Sequence, residues 1–379
     1  MAITAKPVLV LFGGVSAEHE ISIITGLQAL ERIDTSVYTP HVVYVTKKGA
    51  MCYLPGLASR KGFLTAAQKQ VSFGKDEQGG YMEVEGAFGK KIYPYAAYFA
   101  FHGGTGEGGA YAGLMETCGI PFTAAGQEGS IIAMNKWLTK EALRDSGIRV
   151  VEGMRFFDSF MRERAGEHAK SAVAKLGLPL IVKPAHLGSS IGIEVARTDV
   201  ELEKALLTAA FTDSEVVVEK YLEGFTEYNC AVRLVNGVVE TSPIERPIAK
   251  DEILSFADKY ERGSKKTGTG MASLSRELPA NIPAELKSEV EAAAKTAFIA
   301  CRMKGMARID FMHHEGTLYL TEINTIPGSM SFYLWEAAGE TFETQIATLI
   351  EQAVRDRDAA NARVLDYSTD VVKKFVSGN

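Results

Sequence analysis

Residues 305–328 read GMARIDFMHHEGTLYLTEINTIPG. Two apolar-alternating segments flank a polar turn at His313 to Gly316, which is the pattern of an antiparallel hairpin. Alternate residues of a strand share a face, so Arg308 and Asp310 point together, as do Glu322 and Asn324. A connecting loop of three or five residues keeps all four on one face. With three, Arg308 stands opposite Glu322, and Asp310 lies diagonally from it, roughly 7–8 Å away at the backbone. Two carboxylates and an amide at that spacing can converge on magnesium, which takes hard oxygen ligands. Four polar groups in apolar strands are costly to bury unless something pairs with them. The competing account is a salt-bridge ladder centred on Arg308, which leaves Asn324 unexplained.

Outward from the hairpin, Ala284 to Cys301 carries a helical pattern, as do residues 335–358, and the last stretch looks like an amphipathic tail. Residues 249–281 show no periodicity and are full of Lys, Gly, Ser and Thr. A stretch of that length inside a compact domain is often a lid over a site, with a disordered surface loop as the alternative. Tyr228 to Ile244 and Glu215 to Tyr221 read as strands, and 199–210 as a helix. Residues 179–196, PLIVKPAHLGSSIGIEVA, read as strand, glycine loop and strand. Gly188 and Gly192 free the backbone to turn amides and the hydroxyls of Ser189 and Ser190 toward an anion, and Lys183 sets positive charge beside it. Without that lysine the loop would pass as a plain hairpin turn.

Gly126 to Ser130 marks a boundary, followed by a helix from Ile131 to Arg144 capped by Ser130. Before it, VLVLF at 8–12 ends in Gly13-Gly14. Ser16 is placed to cap a helix reaching Glu31, and Val42 to Val45 and Ala96 to Phe101 read as strands. Strands alternating with helices imply an open parallel α/β domain. Residues 47–91, rich in Gly, Lys and Gln, read as an irregular insertion or a hairpin.

The 379 residues carry a net charge of -6, so nucleic acid and anionic membrane are not expected partners and small molecules are. No segment approaches the roughly 20 apolar residues of a membrane span. The opening MAITAKPVLVLFGG has too short an apolar run for a signal peptide, which points to the cytoplasm. Cys52, Cys118, Cys230 and Cys301 form no CxxC pair, so four buried, reduced thiols are expected.

Other candidates are softer. Glu18, in GGVSAEHEIS, sits where an acid commonly just complements a helix dipole. His102 follows a strand and precedes the glycine-rich GGTGEGG, a usual place for a site in an open sheet. Lys136 by default is a solvated lysine. Glu219-Lys220-Tyr221-Leu222, with Glu227 soon after, offers an edge for adenine and ribose. GGVSAE lacks GxGxxG spacing, which argues against a nicotinamide oxidoreductase.

In order, GGVSAEHEIS, HGGTGEGG, GIPFTAAG, NKWLTK, VKPAHLGSS, VEKYLEG, ADKY, ARIDF and EINTIPG resemble D-alanine–D-alanine ligases of the ATP-grasp superfamily over roughly residues 6–350. The resemblance implies an α/β and α+β, three-domain ATP-grasp fold with an N-terminal open parallel α/β domain. Its boundaries would be 1–128, a central domain at 129–224 and a C-terminal domain at 225–379 with a lid loop at 249–281. It implies ATP and two Mg2+ or Mn2+ ions, D-amino acids as substrates, peptidoglycan synthesis, and a homodimer. Glu18 would hold the first amino group, completing a network with Ser189 and Tyr260. Lys136, Lys183, Ser190, Glu219, Tyr221, Leu222, Glu227 and Lys259 would surround ATP. Arg308 would stabilise the oxyanion, while Asp310, Glu322 and Asn324 hold the metals.

Departures from the family's pattern gather near the amino-acid pockets. Gly108 and Ala112 replace an acid and a glutamine, Asn135 replaces an aspartate, and one extra residue separates Gly224 from Glu227. The lid sequence around GMASLSRELPA is unfamiliar. The segment after Pro327 is shorter than the family's, and Ser331 is the substrate-binding candidate there, with His102 as a second in the loop after residues 96–101. Two rivals follow: a ligase joining other amino acids, and a non-catalytic ATP-binding module. Tyr260 argues against an ester-forming variant.

Overall fold

A computed structural model of the chain describes residues 5–86, 89–248, 275–363 and 369–377. The first sheet begins with β1 (Lys6–Gly13), whose Val8 to Phe12 are fully buried as their unbroken apolar run demands. The chain continues through α1 (His19–Leu30), β2 (Tyr38–Val45), β3 (Met51–Tyr53), β4 (Lys69–Asp76), β5 (Gly79–Val84), β6 (Lys90–Ile92) and β7 (Ala96–Phe99). Sheet order is β6-β5-β4-β3-β2-β1-β7. Only β2, β1 and β7 run parallel. Strands β3 to β6 pair antiparallel and extend the same sheet, so the expected parallel domain is a mixed one. Ser16 does not cap α1, which starts at His19. Its hydroxyl instead accepts from the Glu18 N–H at 3.0 Å.

Short α2 (Gly104–Glu107) and α3 (Ala110–Cys118) follow, then α4 (Gln127–Met134) and α5 (Lys136–Leu143). The single helix expected over 131–144 is thus two. Asn135 breaks it with an extended backbone, and its side-chain oxygen accepts from Trp137 and Leu138 N–H, capping α5. Ser130 lies buried inside α4 and donates to Ala125 O.

The second sheet, ordered β10-β9-β11-β8, is antiparallel and holds β8 (Gly153–Phe157), β9 (Leu180–Pro184), β10 (Glu194–Ala196) and β11 (Glu215–Lys220), backed by α6 (Asp158–Leu176) and α7 (Asp199–Ala210). The third contains β12 (Thr226–Val235) and β13 (Val238–Thr241). A small pair, β14 (Arg246–Pro247) and β15 (Arg276–Glu277), and α8 (Ala284–Ala300) precede its remaining strands, β16 (Met306–His314) and β17 (Thr317–Asn324). Past Pro327 come α9 (Phe332–Glu336), α10 (Phe342–Asn361) and α11 (Val371–Ser377). The helix expected over 335–358 is interrupted by a turn at Gly339, whose φ of 87° suits glycine. All four cysteines are buried and free. Tyr260 and Lys259, and all of the expected lid except its end at 275–281, lie outside the described residues.

Candidate functional site

Hairpin β16–β17 sets the centre. Its turn holds two residues, Glu315 and Gly316, between paired His314 and Thr317. Continued unbroken, that register would set Glu322 opposite Ile309 and send it to the far face. A bulge prevents this. Phe311 pairs with Leu320 and Asp310 with Glu322, leaving Thr321 as the extra residue, its hydroxyl donating to Asp310 O at 2.9 Å. Asp310 therefore faces Glu322, and Arg308 faces Asn324. This corrects the loop of three or five residues weighed from the sequence, and the pairing of Arg308 with Glu322 that a three-residue loop would give, while the common face holds.

Asp310 is 4% exposed and closely held: Arg308 Nε and Nη2 each donate at 2.7 Å, and Asn324 Nδ2 at 3.0 Å. Both accounts of the stretch therefore meet here, a salt bridge and a convergence of oxygen donors. Burial opposes the Arg308 charge, and the Asp310 carboxylate more than restores it. On the neighbouring strand Asn229 lies directly opposite Asp310. In the amide orientation its surroundings require, Asn229 donates to Asp310 Oδ1 at 3.2 Å and to Glu227 Oε1 at 3.1 Å. Among the described residues no group of three or more His, Cys, Asp or Glu side chains converges as a ready metal nest. The donor set of two carboxylates and an amide oxygen still suits Mg2+ or Mn2+.

One cleft is lined by Glu18, His102, Glu107, Lys136, Gly188, Ser189, Arg308, Glu322 and Asn324, with apolar walls from Ala133, Met134, Leu187 and Ile326. It draws on the loops after β1, β7 and β9, on α2, α4 and α5, and on the β16–β17 hairpin. Glu18, 8% exposed, accepts from the Ser189 hydroxyl, although 171 residues separate them. Gly103 and Gly188 let the backbone come this close, since a Cβ at either would fall within 3.0 Å of Glu18. His102 is bonded through Nε2 to Thr25 Oγ1 at 2.8 Å. Burial, helped by the Arg308 charge, lowers its pKa to about 4, so the ring is neutral near pH 7.

Three lysines of α5 and β9 gather close by, and of these Lys136 lines the cleft. Lys136 Nζ donates to Leu187 O at 2.6 Å. Burial lowers its pKa, with Glu322 and Glu219 pulling the other way. Lys183 and Lys140 clasp opposite oxygens of Glu219, at 2.6 and 2.7 Å. Burial alone would raise the Glu219 pKa, and the two ammonium groups hold it at about 2. Ser189 and Ser190 both take positive φ, 51° and 59°, folding the loop back on itself. Tyr221 is buried, its N–H bonded to Pro179 O, and Leu222 and Glu227 are half-buried beyond the strand end.

Ser331 does not line the cleft. It is fully buried, and its hydroxyl finds no hydrogen-bond partner among the described residues. Glu107 does line it, although the sequence reading passed over it. Its Oε2 accepts from Gly103 N–H at 2.9 Å and its Oε1 from Thr325 N–H at 3.1 Å, binding the histidine loop to the end of β17. Burial first, then the Glu18 charge, pushes its pKa up to about 7. Glu245, Tyr333 and Arg276 form a second missed group. Tyr333 OH donates to Glu245 Oε2 at 3.1 Å, and the Arg276 guanidinium lies 4.0 Å over the Tyr333 ring.

Residues 7–125 match the family model described as D-ala D-ala ligase N-terminus, and residues 142–351 that of the D-ala D-ala ligase C-terminus. A D-alanine--D-alanine ligase of Chlorobium chlorochromatii is 36% identical, covering 92% of this chain and 97% of its own. One from Thermosipho africanus is 32% identical, covering 95% and 96%. Among solved structures, the D-alanine-D-alanine ligase from Coxiella burnetii superposes with a TM-score of 0.78 at 24% identity, covering 99% of both chains. The VanG D-Ala:D-Ser ligase from Enterococcus faecalis gives 0.77 at 25% identity, covering 92% of this chain and 100% of that one.

Proposed function

Because the chain belongs to the D-alanine–D-alanine ligase family, we propose that it joins two D-alanines at the expense of ATP, supplying D-alanyl-D-alanine for peptidoglycan synthesis. The observation that carries this is the cleft itself, where Glu18 and Ser189 from two distant loops, Lys136 from α5, and Arg308, Glu322 and Asn324 from the β16–β17 hairpin meet. Phosphoryl transfer needs positioning and charge neutralisation far more than acid–base groups, and that is what these residues offer. The reading also takes the three domains, cytoplasmic location and homodimer from the family resemblance.

Glu18 holds the ammonium of the first D-alanine, its carboxylate aimed by the Ser189 hydroxyl. That points the substrate carboxylate inward, where it attacks the γ-phosphate; the bond from the γ-phosphorus to the β-phosphate oxygen breaks, ADP leaves and an acyl phosphate forms. Lys136 and Lys183 neutralise the phosphates. The amine of the second D-alanine, its ammonium proton given up to water, then attacks the acyl carbon, and Arg308 stabilises the oxyanion. Phosphate leaves as the nitrogen loses a further proton to become the amide. Asp310, Glu322 and Asn324 would hold two Mg2+ or Mn2+ ions, which supply charge neutralisation at the phosphates when bound. Arg308 and Asn324 orient Asp310 for that task. On this reading Ser190, Glu219, Tyr221, Leu222 and Glu227, which stand outside the cleft's lining, are assigned to the nucleotide, and His102, which lines it, to the amino acid.

A second reading, a ligase for a different second amino acid, is favoured by one observation. Past Pro327 the small hydroxyl of Ser331 is sealed inside, and Tyr333 with its Glu245 and Arg276 partners stands nearby. Magnesium-dependent phosphate release from ATP, measured across a panel of amino acids, separates the two. Release with D-alanine alone, with dipeptide formed, supports the first; release only with a mixed pair moves the assignment to the second. Silence throughout would sink both. In the same assay Glu322→Gln is expected to abolish turnover and leave the circular dichroism spectrum unchanged.

A further inference from the structure

His186 sits at the foot of the phosphate loop, in a chain of hydrogen bonds whose direction can be worked out. Asn135 Oδ1 accepts from Trp137 N–H at 2.8 Å and Leu138 N–H at 3.0 Å, so the oxygen of that amide is fixed as the α5 cap. Its Nδ2 therefore carries the protons, and it donates to Glu215 Oε2 at 2.9 Å and lies 3.0 Å from His186 Nε2. A donor amide requires an acceptor, so Nε2 is bare and the proton resides on Nδ1. Nδ1 lies 2.9 Å from Asp213 Oδ1, an acceptor, which agrees. The His186 backbone N–H donates to the other Asp213 oxygen at 2.6 Å.

The chain joins two pieces of the cleft. Asn135 immediately precedes Lys136, and His186 immediately precedes Leu187, whose carbonyl takes the Lys136 ammonium at 2.6 Å. Lys136 N–H also donates to Ala185 O at 3.0 Å. Two residues past Leu187, Ser189 reaches Glu18. We propose that His186 is a positioning residue for nucleotide binding, whose neutral ring locks the loop at 186–190 to the helix carrying Lys136 and whose protonation releases that lock.

A protonated ring would present Nε2–H to the Asn135 amide, donor against donor. Rotating the amide to offer its oxygen would forfeit both cap bonds and turn that oxygen away from α5. Four groups face the ring. Asp213, at the turn before β11, raises its pKa above the ordinary value, against burial. Glu215 on β11 adds to the rise and Lys136 on α5 opposes it, while Asn135 is uncharged. The release thus begins above the ordinary histidine value as pH falls.

The proposal rests on the reading of this cleft as an ATP site, and two measurements keep the two failures apart. Nitrogen NMR of the ring, on the full chain without nucleotide, is expected to show the proton on Nδ1; a proton on Nε2 would overturn the chain of bonds whatever the protein binds. The KM for ATP is expected to rise about fivefold, the worth of roughly one hydrogen bond, between about pH 8 and about pH 5.5, with kcat little changed. His186→Gln, whose side-chain oxygen can still accept from Asn135 and cannot titrate, should hold the low KM and flatten its pH profile beyond that of the substrates. His186→Ala should show the high KM throughout. A Gln variant that keeps the wild-type slope, or an Ala variant with the wild-type KM, would overturn the lock. Calorimetry showing no ATP binding to the wild type would instead overturn the nucleotide reading and the KM effect with it.

Discussion

Glu219 illustrates what one residue settles. The sequence marks it as an acid at a strand end, suited to an adenosine edge. Its side chain in fact turns inward, 4% exposed, between Lys183 and Lys140. Removing that charge leaves two buried ammonium groups facing each other, so Glu219→Gln is expected to cost about 3 kcal/mol in stability at neutral pH. Its folded pKa of about 2 lies below the ordinary 4.5. The stabilisation is therefore complete above about pH 4.5 and is lost as pH falls through 2. Urea titrations of wild type and variant should show a gap that is constant at neutral pH and narrows in acid; equal midpoints at pH 7 would sink the assignment. Side chains whose chemistry is intrinsic, such as Glu322 or Arg308, were legible in the sequence. Glu107 was not, because its partners are backbone N–H groups of Gly103, Thr325 and Ile326, and residue types do not reveal backbone donors. Asn229 did leave a signal: a lone amide in the apolar run YNCAV, buried completely.

At the scale of the element, the bulge in β17 was written in the sequence and missed. In TLYLTEIN the apolar residues keep one parity at Leu318 and Leu320, then reappear at Ile323 on the other. A break in period two is the mark of an extra residue. The helix break at Asn135 was equally available, since a capping residue sits there before a fresh amphipathic run. Less could be read of the stretch past Pro327. Ser329, Met330 and Ser331 take three successive left-handed conformations, with φ of 50°, 51° and 45°, without a glycine among them. Distant bonds hold them in it. Gln345 Nε2 donates to Met330 O at 2.8 Å, and Arg233 lies 3.9 Å over Trp335 while gripping both oxygens of Glu340 at 2.7 Å. Arg233→Met is expected to keep the aliphatic packing and loosen this segment. The KM for the second amino acid should rise about tenfold, near 1.4 kcal/mol, with the KM for ATP unchanged. Equal changes in both would place Arg233 in general stability instead.

For the whole molecule, order along the chain misleads about what packs together. Helix α10 falls in the proposed C-terminal unit, yet Phe342, Ile346, Leu349 and Ile350 belong to the same buried cluster as Val8 to Phe12 of β1 and Val42 of β2. Glu351 on that helix accepts from Lys6 at 2.8 Å, Tyr38 at 3.0 Å and Tyr95 at 2.7 Å, tying it to the first sheet. No local pattern announces such a return, because periodicity tells which face is apolar and not what covers it. Burying four such side chains contributes about 6–12 kcal/mol, against a total stability of about 5–15 kcal/mol for a domain. A chain ending at Gly339 should therefore lose the cooperative unfolding of its first sheet as well as its activity. A chain ending at Asn361 is the control: it lacks α11, whose Val371, Val372, Phe375 and Val376 are all largely exposed, so its melting temperature should stay within about 2 °C of wild type. Thermal melts followed by circular dichroism decide it. If the shorter chain melted cooperatively near the wild-type temperature, the first sheet would be stable without α10, and the shared core would be a contact between separately folding parts.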